Sequence, residues 1–130
     1  MIKMGKAICI LSAMMCVVLF GISHAEADYV SDGHAYKLTC NENGHVLTSV
    51  WPVIRMTGQG AGTQFVELKK EKLYLGRKCD AHHKLYGNGT WCWANGGFGA
   101  DFGDIHIGFA RQELICEKDY GYELECSCTR

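Results

Sequence analysis

The sequence lacks the short motifs by which the common enzyme classes are recognised. It has no Gly-x-Ser-x-Gly elbow for a nucleophilic serine and no His-Glu-x-x-His pair for catalytic zinc. Its glycine-rich stretch at residues 58–62 is not followed by the Lys and Ser or Thr of a nucleotide loop. No Cys-x-x-Cys pair occurs either. We therefore expect a protein that is not an enzyme and that carries no cofactor.

Charge of one sign and long apolar runs are equally scarce. The chain has 13 basic and 14 acidic residues, and its densest basic patch, residues 69–72, is interrupted by Glu71. Nucleic acid, which proteins bind by neutralising phosphates, is therefore not an expected partner. The one long apolar run, residues 7–22, is shorter than the roughly 20 residues that a bilayer span requires. No second run exists, so we expect no membrane span in the mature chain.

The N-terminal segment has the form of an export signal. Two lysines precede the apolar run, and small residues follow it at the positions that a signal peptidase reads. We predict a signal peptide over residues 1–27, cleaved after Ala25 or Ala27, and a single exported domain over residues 28–130. The mature protein would then be periplasmic or secreted. A retained N-terminal anchor is the alternative.

Cysteine, in contrast, is abundant. Two of the eight cysteines fall in the predicted signal peptide, which leaves an even number in the mature domain. Thiols meet oxidants outside the cytoplasm, so these cysteines predict disulfide bonds. The six are Cys40, Cys79, Cys92, Cys116, Cys126 and Cys128.

The sequence alone does not choose among the many ways of pairing six cysteines. Symmetry about the predicted turns favours one set of pairs. These are Cys79–Cys92, Cys116–Cys126 and Cys40–Cys128. Cys126 and Cys128 are not expected to bond to each other, because a ring closed over one intervening residue would be strained.

The spacing of strand and turn signals indicates an all-β fold. Most of the 16 glycines lie in short clusters that suit turns, and helical periodicity is poor. We predict a small disulfide-stapled antiparallel sandwich or barrel of about seven to nine short strands. Residues 80–90 read as a polar loop. The candidate strands are residues 35–40, 45–56, 64–68, 72–79, 91–94, 98–109, 112–117 and 122–128.

The stretch around the second and third tryptophans is the candidate binding surface. On a strand, Trp91 and Trp93 share one face and Cys92 takes the other. If Cys92 forms an inward disulfide, the two indoles face outward. Together with Phe98 they would then form a platform for a sugar ring or a protein. The alternative is that both tryptophans fill the core.

Arg111 and Trp51 are two further positions for which the sequence gives an expectation. Arg111, with the polar residues that follow it, could bind a carboxylate or amide, or else lie on a solvent-facing edge. Trp51, in the other aromatic strand, is expected in the core.

Acid–base catalysis and metal binding are the two chemical alternatives to a binding surface. Asp101, Asp104 and His106 are close in sequence. Asp104 and His106 would share one face of a strand, so a carboxylate could orient the imidazole for acid–base catalysis. This motivates the alternative of a small secreted hydrolase. A metal site near Cys79, using the histidine pair at 82–83, would have ligands of the right type but in no zinc spacing. We expect no metal site.

Residues 36–40, with the turn that follows them, resemble the opening of the small periplasmic lysozyme inhibitors, which are β-barrels. The resemblance covers those few residues, and no residue role is carried over from it. The function expected from the residues is that of a non-catalytic exported binding module for a protein or glycan ligand. A structural or envelope-stress protein, whose cysteines serve stability, is the remaining alternative.

Overall fold

A computed structural model describes residues 28–94, 96–122 and 126–128. The predicted signal peptide and its cleavage site lie outside these residues. The described chain forms ten strands and one short 3₁₀ turn at Gly60–Gly62, with no α-helix. The strands are β1 (Tyr29–Ser31), β2 (His34–Asn41), β3 (Gly44–Ser49), β4 (Val53–Thr57), β5 (Gln64–Leu68), β6 (Lys72–Gly76), β7 (Asp80–His83), β8 (Gly87–Ala94), β9 (Gly97–Phe102) and β10 (Ile105–Phe109).

Eight of these strands form one antiparallel sheet in the order β1-β2-β3-β6-β7-β8-β9-β10. Strands β4 and β5 form a separate two-stranded sheet, inserted between β3 and β6. The large sheet curls until its ends meet at a seam. There, the side-chain amide of Gln112 accepts a hydrogen bond from the Val30 N–H and donates one to the Val30 carbonyl, both at 2.7 Å. The predicted all-β fold is confirmed, as a nearly closed barrel.

The barrel interior is filled by alternate residues of the strands, as the two-residue period of a strand requires. Some ring contacts join residues paired on neighbouring strands, such as the stacked Phe98 and Phe109, whose centroids are 4.7 Å apart. Others cross the interior between strands that are not neighbours, such as His45 on β3 and Trp91 on β8, with centroids 5.9 Å apart. The largest fully buried apolar side chains are Trp91, Tyr36, Phe109, Leu47, Leu73, Leu75, Ile107 and Val53.

Three stretches of the predicted secondary structure are wrong. Residues 45–56 are two strands in different sheets, because the chain leaves the barrel around Pro52, which has no N–H to donate to a ladder. Residues 98–109 are a hairpin turning at residues 103–104. The predicted loop 80–90 is β7 and the start of β8, with Ala81 and His83 buried inside the barrel.

The C-terminal segment also differs from the prediction. Residues 112–122 contain no strand, and among residues 126–128 only Ser127 forms a bridge, parallel to Trp93. Trp93 donates its N–H to the Cys126 carbonyl at 2.6 Å and accepts the Cys128 N–H at 3.1 Å. The segment therefore pairs with the end of β8 that β7 leaves free.

All six cysteines among the described residues form disulfides, as predicted, and Cys126 and Cys128 are not joined to each other. The favoured pairing is wrong in every pair. Hairpin symmetry failed because each bridge ties the barrel wall to the returning C-terminal segment and not to the neighbouring strand. The bridges are Cys40–Cys116, Cys79–Cys126 and Cys92–Cys128, with sequence separations of 76, 47 and 36.

Three disulfides are typical of a protein that folds in an oxidising compartment. Within residues 28–94, 96–122 and 126–128, no helix has the length and hydropathy of a membrane span.

Candidate functional site

The structure places most of the predicted aromatic platform inside the barrel. Trp91 is 1% exposed and donates its indole N–H to the Gly76 carbonyl at 2.7 Å, and Phe98 is also buried. Trp93 is half-buried and packs edge-on against both, with centroids 5.5 Å and 5.7 Å away. The outward-facing platform is therefore wrong, and the core alternative describes these residues. The barrel curves around the tryptophan side of β8, while Cys92 bonds to the C-terminal segment.

The other predicted positions are dispersed over the surface. Arg111 is exposed in the turn after β10, and its binding role stays a prediction. His106 Nδ1 lies 2.6 Å from Asp101 Oδ1 across the β9–β10 pair, with both side chains about half exposed or more. Asp104, expected beside His106, instead lies exposed in the turn that joins the two strands.

The alternative metal ligands near Cys79 do not converge. Cys79 is bonded to Cys126. His83 is buried, whereas His82 is exposed on the opposite face of β7 and pairs with Asn88 at 2.8 Å. Neighbouring residues of a strand point to opposite faces, so two adjacent histidines cannot share one ion there.

Trp51 shows where an exposed apolar surface does lie. It was expected in the core, but it is 71% exposed, in the linker by which the chain leaves the barrel for β4. The expectation was wrong because residues 45–56 do not form one strand of the barrel. Everything from Trp51 to the end of β5 belongs to an excursion outside the barrel sheet.

The excursion is a hairpin that presents apolar side chains to solvent. The register pairs Met56 with Phe65 and Ile54 with Glu67, so these four side chains share one face of the hairpin. Ile54, Met56 and Phe65 are 62%, 59% and 71% exposed. We call these three, with Trp51 at the base, the hairpin face. Clustered exposed apolar side chains of this size are typical of an interaction surface.

The opposite side of the hairpin is anchored in the barrel. Val53 is fully buried, and Arg55 donates to Glu71 from Nε at 2.7 Å and from Nη2 at 3.0 Å. Glu71 also accepts hydrogen bonds from the Tyr36 hydroxyl and, at 2.7 Å, from His83 Nε2. We call Tyr36, Arg55, Glu71 and His83 the buried ionic cluster. It joins β2, β4, β7 and the residue preceding β6.

Hydrogen bonds keep the Glu71 carboxylate ionised in this cluster. Burial by itself raises the pKa of the Glu71 carboxyl, but hydrogen bonds from His83, Arg55 and Tyr36 outweigh burial and lower the pKa from 4.5 to about 2. Burial, and then the hydrogen bond to Glu71, raise the pKa of Tyr36. The Arg55 guanidinium therefore faces an ionised carboxylate through the physiological range of pH.

The orientation of His83 is also determined by its neighbours. Its Nδ1 accepts the backbone N–H of Leu85 at 3.1 Å, so its ring proton lies on Nε2 and is donated to Glu71. Tyr86 stacks on the imidazole with centroids 4.6 Å apart, and its hydroxyl reaches the Met56 carbonyl at 3.4 Å. The cluster and its surroundings thus hold the inner side of β4 against the barrel.

The base of the hairpin is held by hydrogen bonds, and its tip by a tight glycine turn. At the base, Ser49 exchanges hydrogen bonds with the backbone of Glu71, and Lys70 donates to the Val50 carbonyl at 2.9 Å. At the tip, Gly58 has φ +80°, and a Cβ there would clash with the Gly62 carbonyl. The hairpin is therefore a preorganised element and not an open loop.

Exposed lysines lie at the base of the hairpin. Lys69, Lys70 and Lys72 follow β5 and are exposed, and Lys84 is exposed at the end of β7. A hollow is lined by three of them, Lys70, Lys72 and Lys84, together with Glu71 and His83 of the buried ionic cluster. Positive charge is therefore concentrated where the chain returns from the hairpin to the barrel.

Reasoning from the sequence missed this surface, although one signal for it is present. Residues 54–57 alternate apolar and polar side chains, with Arg55 and Thr57 as the polar set, as a half-buried strand does. The usual interpretation buries the apolar set. Here the arginine faces inward, because Glu71 supplies a buried counter-charge, and Ile54 and Met56 face solvent.

Comparison with protein-family models, with curated proteins and with solved structures found no match for this chain.

Proposed function

We propose that this protein is a non-catalytic exported binding module, periplasmic or secreted, that binds a protein partner through the hairpin face. The observation that carries the proposal is an anchored hairpin whose outer face presents Ile54, Met56 and Phe65, each more than half exposed. Exposure of such an apolar surface to water is unfavourable, and the free energy falls when a partner covers it.

The chemistry of the hairpin face favours a protein over a glycan. Ile54 and Met56 are aliphatic, and they suit the apolar centre of a protein interface, where a flexible methionine adapts to its partner. Sites for small ligands are concave, with a few placed polar groups that fix orientation. The hairpin face is instead an exposed sheet surface.

The neighbouring lysines indicate the charge of the partner. Interfaces are steered by complementary potentials, so the exposed Lys69 and Lys72, which follow β5 at the base of the hairpin, would fit a partner that carries acidic side chains. Anchoring of Arg55 by Glu71 also reduces the ordering cost of binding, because the hairpin is held in place beforehand.

Photo-crosslinking from position 65, in the oxidised mature protein, would identify the partner among envelope and secreted proteins of the producing organism. Affinity for the purified partner is then measured for three variants of confirmed fold. Ile54→Ala and Phe65→Ala should each weaken binding by about 10-fold or more. Ile115→Ala, at a residue 72% exposed but outside the hairpin, should change it little.

Two results would contradict the proposal. Equal effects of Ile115→Ala and the hairpin variants would mean that the hairpin face is not the interface. Binding to a glycan panel that is lost in Phe65→Ala, with no protein crosslinked from position 65, would assign the surface to a glycan.

A further inference from the structure

A second site lies near the turn that joins β2 and β3, around the Cys40–Cys116 bridge. Cys40 and His45 are directly paired across β2 and β3. The two sulfurs and one ring nitrogen of His45 lie within 4.8 Å of one another. Among the described residues, no other group of three His, Cys, Asp or Glu side chains converges in this way.

His45 itself has an unmet hydrogen-bonding group. The residue is 2% exposed, between the rings of Trp91 and Tyr122, and its Nδ1 has no hydrogen-bond partner. Buried polar atoms are nearly always paired, so an unpaired one calls for an explanation.

We propose that Cys40, Cys116 and His45 form a latent zinc site that becomes available when the bridge between the two cysteines is reduced. In the disulfide, neither sulfur is a thiolate ligand. Two thiolate sulfurs and an imidazole nitrogen are a ligand set that zinc prefers, with a fourth position left for water.

The redox step is a thiol–disulfide exchange with a dithiol reductant. Two electrons from the dithiol break the Cys40–Cys116 bond, its two protons pass to the two sulfurs, and the reductant becomes a disulfide. Zn²⁺ then displaces both thiol protons and binds the two thiolates and His45. Zinc in turn prevents the bridge from closing again, so the site would report reducing conditions.

A reductant can reach the Cys40–Cys116 bridge, and the chain segments that carry the two cysteines are held by other contacts. Cys40 and Cys116 line a surface hollow of about 440 Å³, through which a reductant can approach. Cys40 and His45 are held by the β2–β3 ladder. The Cys116 side is held by the Tyr29 hydroxyl, which donates to the Glu113 carbonyl at 2.8 Å and accepts the Ile115 N–H at 3.2 Å.

The test is zinc and cobalt binding by the full mature protein before and after reduction with a phosphine. Oxidised protein should bind no metal at this site. Reduced protein should bind one Zn²⁺, and Co²⁺ should give thiolate charge-transfer absorption with tetrahedral d–d bands. His45→Gln should weaken binding at least 10-fold, and the Cys40→Ser/Cys116→Ser double variant should abolish it. A matched double variant, Cys92→Ser/Cys128→Ser, should keep it.

Unchanged affinity in His45→Gln, or metal retained by Cys40→Ser/Cys116→Ser, would overturn the proposal. If reduction also opens the other bridges and unfolds the chain, near-ultraviolet circular dichroism detects it. In that case, Zn²⁺ added before the reductant should preserve the wild-type signal but not that of His45→Gln. Equal loss with and without Zn²⁺ in the wild-type protein would also refute the site.

Discussion

Replacing Glu71 by glutamine should remove a large part of the stability of this protein. Glu71 is 1% exposed and is the common acceptor for Arg55, His83 and Tyr36. Its pKa of about 2 in the folded state, against 4.5 ordinarily, means that folding favours the ionised carboxylate. At about 1.4 kcal/mol for each pKa unit, the ionised group contributes on the order of 3 kcal/mol.

The sign of this contribution determines its pH dependence. The folded pKa of Glu71 is below the unfolded one, so the contribution is complete above the unfolded pKa and is lost as the pH falls from 4.5 toward 2. The free energy of unfolding of the wild-type protein should therefore decline across that window. Glu71→Gln has no carboxyl to titrate there, and its decline should be smaller by the same roughly 3 kcal/mol.

At neutral pH the substitution acts through the partner that it leaves behind. The Arg55 side chain is only 13% exposed and would lose its counter-charge, a change that typically costs on the order of 3–5 kcal/mol. Urea unfolding, followed by tryptophan fluorescence from neutral pH to about pH 2, measures both effects. Glu67→Gln, on the exposed face of the hairpin, is the control and should shift stability by less than about 0.5 kcal/mol.

Glu71→Gln would contradict this role of the buried ionic cluster if it unfolded at the wild-type urea concentration at neutral pH. A loss of stability in acid as steep as that of the wild-type protein would contradict it equally.

Three further substitutions test the barrel itself. Trp91→Phe removes the indole N–H and leaves the part-buried Gly76 carbonyl without that donor, so urea unfolding should show a loss of about 1–3 kcal/mol. Gln112→Ala opens the seam with β1, and hydrogen exchange of the Val30 amide should become faster while the core amides stay protected. Gly44→Ala places a Cβ against the Leu75 carbonyl at φ +138°, and thermal unfolding should fall by several degrees or the protein should fail to fold. A wild-type result in any of the three would contradict the corresponding contact.

The predicted all-β class rested on local features. A strand over residues 35–40 and a turn after it can be recognised from a few neighbouring residues. Both β2 and the β2–β3 turn form where they were predicted. Oxidation of the cysteines was equally predictable, because it depends on compartment and number and not on geometry.

The pairing of those cysteines depends on where the C-terminal segment returns, and no local symmetry reports that. The same holds for the tryptophans. Trp91 and Trp51 both lie in apolar, β-prone stretches, yet one is 1% exposed and the other 71%, because the chain between β3 and β6 leaves the barrel.

By itself, the sequence determined that this protein is a strand-rich, disulfide-bonded domain, since strand propensity and cysteine count are properties of short segments. Only the tertiary structure decided which side of the inserted hairpin faces water. Glu71 is 16 residues from Arg55 and draws the guanidinium inward, which turns Ile54 and Met56 outward. A buried charge pair between distant residues thus sets the face that we propose binds the partner, and such a pair has no signature in the local pattern of either strand.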